Sequence, residues 1–238
     1  VYYQRKKSRY VQDRNRLSRI HLTTIYTSSV VQATKQFYGE LLVAKSFKNI
    51  AEHLEALAKK MHAGIQSQEA CVFSEINNYH PSYLGRPISD LKQMSIDLKD
   101  CQLCVAAQYG FVSWKEVQRQ LQPYHHPFEE AVDHLIFGRK QELSDLLNEH
   151  YELISQTSQY GHRATLLHYT GSNGVELWRQ QVPSNLPEIV ELLLENGANR
   201  NAKMNVYGGE FKALELLMSS AHPKDAGLTQ ELEAAFKK

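Results

Sequence analysis

Four side chains in the C-terminal half are of types that could do chemistry together: His162, His168, Glu176 and His222. Neutral imidazole is a common metal ligand and a proton carrier near neutral pH. Glu176 would add a carboxylate. Their spacing argues the other way: there is no His-Glu-x-x-His and no paired Cys-x-x-Cys, so no metal-ligand signature is present. Cys101-Gln-Leu-Cys104 is a single such pair, and it continues an apolar helix face, where cysteine acts as a small hydrophobe. The chain also lacks a glycine-rich phosphate loop, a Gly-x-Ser-x-Gly elbow and an activated-cysteine signature. An enzyme or metal protein using His162, His168, Glu176 and His222 is therefore the alternative reading. The expected protein is not an enzyme and carries no cofactor or metal.

Charge offers a second candidate surface. Residues 1–20 hold seven basic side chains against Asp13, a local charge of +6 that leaves −5 for the rest of a chain of net +1. Such an arm could lie on nucleic acid or another acidic surface, although a solvated, frayed terminus is the simpler expectation. The stretch from Ile20 to Val31 follows this arm and loosely copies a signal or transit peptide, but it is too rich in Thr and Ser for a good apolar region. Val1 at the start fits either a piece of a longer protein or an unusual start.

The elements that must position these groups read as helices. With 42% apolar and 22% charged residues among 238, the composition is that of a folded chain. Three cysteines make no disulfide framework and suit a reducing compartment, so a cytoplasmic location is expected. No apolar run is long enough to span a membrane. Residues 1–45 have weak periodicity and form a poorly defined basic N-terminal segment, mostly helical. Residues 46–122 form a helical leader domain. Ser46 caps a first helix whose stripe is Ile50, Leu54, Leu57, Ala58 and Met61, with Gly64 at its end. A second helix carries Ala70 to Ile76 and breaks at Asn77-Asn78. Ser89 or Ser95 caps a third, and Ser113 with Glu116 makes a capping box for a fourth. Phe111 and Trp114 belong to the leader core. Pro123 and Pro127 flank a linker holding His125 and His126. From residue 128 to 238 a short helix, a turn, a longer helix and a Gly- or Asn-bearing loop recur about three times, the mark of a helical repeat array.

One phrase sharpens this. Thr165-Leu-Leu-His168, Asn173-Gly174, and Glu188-Ile-Val-Glu-Leu-Leu-Leu-Glu-Asn-Gly-Ala-Asn-Arg-Asn-Ala202 resemble an ankyrin repeat. Leu166 stands where that pattern has proline, and about ten extra residues, Val175 to Asn185, separate the two helices. The wider phrases His162–Tyr169, Asn173–Glu176, Tyr207-Gly208-Gly209 and Ser219–Pro223, with Ala107–Trp114 in the leader, resemble a bacterial group of ankyrin-repeat proteins with a helical leader. The resemblance covers about residues 50–238. It implies an all-α protein: a helical leader domain followed by a short ankyrin-type repeat solenoid at 128–238. It also implies that His168 ties neighbouring loops together through backbone hydrogen bonds.

The function expected from this fold is a non-catalytic scaffold that binds a protein partner, of unspecified identity, on a concave face. By carry-over from the ankyrin pattern, Tyr160, Arg163, Tyr169 and Asn173 lie near that face, with Tyr207 at the next loop. The 175–185 insertion adds Trp178 and Arg179, residue types enriched in binding hot spots, on a loop longer than the fold requires. Gly208-Gly209 is expected to form a tight turn.

Overall fold

The structure, a computed structural model, describes residues 23–238. The basic stretch 1–20 lies outside the described residues. Thirteen α-helices run in chain order: α1 Ser29–Tyr38, α2 Ile50–Gln66, α3 Ala70–Tyr79, α4 Ile88–Leu91, α5 Leu98–Gln108, α6 Trp114–Val117, α7 His126–Ile136, α8 Lys140–Glu149, α9 Leu166–Tyr169, α10 Leu186–Glu195, α11 Ala213–Ser219, α12 Ala221–Asp225 and α13 Thr229–Lys237. Two small antiparallel sheets join them. One pairs β1 (Ile25–Tyr26) with β2 (Val182–Pro183), and the other is the hairpin of β3 (Lys203–Val206) and β4 (Gly209–Lys212). The chain is thus mostly helical with a few short strands.

The helix starts follow side-chain chemistry more than the expected serines. Asn49, not Ser46, caps α2, its Oδ1 accepting the Glu52 N–H at 2.9 Å. Asp97, not Ser89 or Ser95, caps α5, and Asp100 returns the bond to the Asp97 N–H. Ser113 caps α6 as expected. Gly64 does not end α2, which continues to Gln66. Its missing side chain instead makes room for Phe37 and Val72, which a Cβ would meet at 2.6 and 2.7 Å. Likewise α3 runs past Asn77-Asn78 to Tyr79.

α2 and α5 pack along each other, with α3 against α5 and α1 against α3. Cys101 and Cys104 are fully buried there, and burial pushes the Cys101 thiol up to about 12, so neither is a thiolate nucleophile. Beyond residue 125 the closest packing is of α10 on α13 and of α7 on α8; α11 also packs on α13, and α10 touches α8 and α9. α9 packs on α7 and α11. The core does not divide at the prolines: Tyr124 and Phe128 are buried members of one hydrophobic cluster extending from Tyr38 to Phe236. His126 opens α7, and the backbone N–H of His125 donates to Gln159 Oε1, so this stretch is not a free linker.

Glu75 is the odd member of the leader core. It is 1% exposed; its Oε2 accepts from Tyr38 at 3.3 Å, and its Oε1 has no protein partner among the described residues. Burial pushes its carboxyl up to about 8, against the opposing pull of the Tyr38 bond. Between its unfolded value near 4.5 and 8, the folded state holds a proton that the unfolded state has released, so stability falls as pH rises through that window. The cost is about 1.4 kcal/mol per pH step, on the order of 3 kcal/mol by pH 7. Glu75→Gln is therefore expected to flatten this decline and to gain most of that stability at pH 7 and above. Urea melts at pH 5, 7 and 8.5 test it; an identical decline in the variant would refute the assignment.

Candidate functional site

The insertion 175–185 is not a projecting loop. Residues 175–183 are buried throughout, with a 3₁₀ turn at Leu177–Arg179 followed by β2. An N-terminal strap of residues 23–38 covers it. Ser184 N–H donates to Thr24 O at 2.7 Å, Thr24 N–H donates to Ser184 Oγ at 3.1 Å, and Lys35 Nζ donates to Gln181 Oε1 at 2.8 Å. α1 lies against the Leu177–Arg179 turn.

Arg179 is drawn inside by acids. It is 1% exposed; its Nη2 donates to Glu129 Oε2 at 2.6 Å and lies 3.7 Å from Asp133 Oδ1, while Nη1 is 3.7 Å from Glu176 Oε1. The guanidinium sits 4.6 Å from the centre of the Trp178 ring. Burial pushes the Glu176 carboxyl up, but Arg179 and His162 outweigh it and hold the group below the usual carboxylate range. For Glu129 burial wins over Arg179, with Glu176 and Asp133 adding to it, and its carboxyl is raised. Arg179 stays charged because its two carboxylates outweigh desolvation.

The histidines are wired into the same interior. His162 Nδ1 accepts the Ala164 N–H at 3.0 Å, so Nε2 carries the proton and donates to Glu176 Oε1 at 3.2 Å. Tyr169 also donates to Glu176 Oε1, at 3.3 Å. His168 Nδ1 accepts the Thr165 N–H, and its Nε2 donates to Phe211 O at 3.2 Å, tying α9 to β4 through backbone. Burial holds that imidazole down at about 4. His222 lies elsewhere, donating to Gln180 Oε1 at 3.2 Å. A further chain runs from Tyr160 to Tyr124 to His53 Nδ1, and His53 Nε2 donates to Leu41 O. Burial keeps His53 neutral, down at about 4.

His162 and Glu176 have the composition of an acid–base pair, but both are essentially unexposed. Neither they nor His168 and His222 line the two clefts of about 770 and 410 Å³. Among the described residues, no three His, Cys, Asp or Glu side chains gather as metal ligands. What the cluster can do chemically is hold the insertion, α7 and α9 in one register.

The expected binding residues separate into two groups. Tyr160, Tyr169, Trp178 and Arg179 are buried around the ion pairs just described, with Trp178 and Arg179 at the wall of the 410 Å³ cleft rather than on a projecting loop. Trp178 Nε1 donates to Tyr109 in the leader at 3.4 Å. Arg163 and Tyr207 are exposed, and Asn173 is half-buried. Asn173 Oδ1 accepts from the Tyr207 hydroxyl at 2.7 Å, and its Nδ2 donates to Ser219 Oγ at 3.0 Å. Comparison with protein-family models, curated proteins and solved structures finds no match.

Arg163 and Tyr207 line the same 770 Å³ groove, between the 107–120 stretch of the leader and the β3–β4 hairpin. Each has a left-handed backbone, φ 52° and 53°. For side chains larger than glycine this costs about 1 kcal/mol or more. Tyr207-Gly208 is the two-residue hairpin turn, with positive φ at both positions. Val112 and Arg119, neither among the expected binding residues, also line the groove and are exposed. Val112 is the stronger signal: it is 85% exposed, directly after the buried Phe111.

Proposed function

We propose that this chain is a non-catalytic scaffold whose C-terminal helices form ankyrin-like units and whose partner is a protein docked in the leader–hairpin groove. The observation that carries the reading is the pairing of Arg163 and Tyr207. Both are exposed in one groove, and both are held in a backbone conformation that disfavours any residue but glycine. The hairpin turn accounts for the Tyr207 conformation; what points to a partner is that a large cationic and a large aromatic side chain stand exposed together in one groove. The packing of α7 on α8, of α9 on α7 and α11, and of α10 and α11 on α13 supports the array, as does the His168 bond to β4. The insertion supports it differently: it fixes the leader against the array, so the groove between them is preformed and loses little entropy on docking.

Photo-crosslinking tests the location. A benzophenone amino acid placed at Val112 or at Glu210, both lining the groove, is expected to give one discrete adduct in extract from the source cells. The same group at Tyr151, 80% exposed and outside the groove lining, serves as control. Equal labelling at all three positions, or none at 112 and 210, overturns the reading.

A further inference from the structure

The groove carries a charge pattern that specifies its occupant. Its lining holds two arginines, Arg119 and Arg163, and two acids, Glu116 and Glu210. The acids are already engaged. Glu116 accepts the Val112 N–H at 3.1 Å, and Glu210 pairs with Lys203 at 3.3 Å. Neither arginine has an acidic partner among the described residues, and both are exposed. Gln120 and Arg163 also line an adjoining cleft of about 270 Å³, so the surface continues past Arg163 as a track longer than one side chain.

The hairpin tip adds a fixed aromatic face to the same groove. The Tyr207 hydroxyl is held by Asn173, and its ring lies edge-on to Phe211 at 6.5 Å between centres, yet the residue remains 60% exposed. Gly208 beside it presents no side chain and has nothing within 4 Å of where one would stand, which leaves room for another backbone.

We infer that the groove takes an extended acidic peptide segment, whose carboxylates pair with Arg119 and Arg163 and whose apolar or aromatic side chain lies on Tyr207 and Val112. This rests on the protein-binding reading above. A planar guanidinium fork suits a carboxylate. Two cations interleaved with two carboxylates suit a peptide better than a nucleic acid, whose binding draws on many phosphate contacts.

Selection from a random twelve-residue phage-displayed peptide library on the full chain tests this. The expected result is a pool enriched in Asp and Glu, with enrichment abolished by NaCl at 0.5 M scale, on the order of a Debye length below 5 Å. A synthetic peptide from that pool should bind R119Q/R163Q on the order of tenfold or more weakly, with R163K falling between R163Q and the parent because it keeps the charge and loses the fork. Both arginine positions are surface sites, so circular dichroism of the variants should match the parent. A pool without acidic bias, or an acidic bias that survives R119Q/R163Q, overturns the acidic occupant. So does a random single-stranded DNA library that binds more tightly than the selected peptides. If crosslinks at 112 and 210 persist in any of these cases, the groove stands and only its charge assignment falls; if they vanish too, both readings fall.

Discussion

Arg179→Met is expected to cost the fold about 3–5 kcal/mol at pH 7, the penalty for stranding buried charge. The substitution keeps most of the side-chain volume but leaves Glu129 and Glu176 buried with no cation between them. Glu176 Oε2 already lacks a hydrogen-bond partner, so nothing on the protein side can absorb the loss. The sign with pH follows. Without Arg179, burial and mutual repulsion raise Glu129 further and Glu176 above its usual range, so the variant takes up more protons on folding than the parent. Its deficit must therefore shrink as pH falls from 7 to 5. Urea unfolding at the two pH values measures both quantities. The triple variant R179M/E129Q/E176Q is expected to regain most of the loss, since a buried ion cluster replaced as a whole is often no worse than the original. A deficit below about 1 kcal/mol for R179M, or one that is the same at pH 5 and pH 7, would show that the cluster does not hold the insertion.

The second large effect is steric. Gly110, at the end of α5, and Gly161, before α9, meet backbone to backbone. A Cβ on Gly161 would fall inside the van der Waals shell of the Gly110 carbonyl, and one on Gly110 would strike the His162 backbone. Gly110 is also the left-handed residue that closes α5, with φ 76° and the Phe111 N–H donating to Ala106 O at 2.9 Å. Gly161 has no such conformational duty, so Gly161→Ala isolates the contact. Its expected cost is about 3–5 kcal/mol, because the colliding atoms are main chain on both sides and cannot rotate away. Gly85→Ala, where φ is 74° and nothing lies within 4 Å, should cost only about 1 kcal/mol. Thermal melts of both variants decide the matter; G161A within experimental error of G85A would mean that the two backbones are not in contact there.

Much of the helical framework was readable because each helix carries its own periodic stripe. The leader helices, α7, α10 and α13 all fall close to the expected stretches. Cap positions slipped by a few residues, since Ser46, Asn49, Ser95 and Asp97 are all competent caps and the preceding turn chooses between them. The β3–β4 hairpin shows in the sequence only as a turn signal at Gly208-Gly209, one residue past the actual turn at Tyr207-Gly208. Its four-residue strands are too short to show alternation, and their placement depends on bonds to His162 O and His168, far away in sequence. Trp178 and Arg179 were misread for a related reason. Residue type alone suggests an exposed contact pair, whereas their burial is set by Glu129, fifty positions earlier. A local hint did exist. Val175, Leu177, Trp178 and Val182 make the insertion too apolar for a solvated loop, and Glu176 and Arg179 are spaced to meet. Arg163 and Tyr207 could be nominated from the repeat pattern, but their joint presence in one groove required the packing of the leader.

The strap has a consequence for how the protein is made. Thr24 and Ser184, which exchange hydrogen bonds, are 160 residues apart. Synthesis at about 5–20 residues per second leaves the strap waiting roughly 8–30 s for the segment it must cover. During that interval Val31 and Tyr38, buried in the finished fold, lack part of their covering. The emerging leader must therefore keep that face occupied or shielded until residue 184 has left the ribosome, and the first segment of the described chain to appear becomes one of the last to be seated.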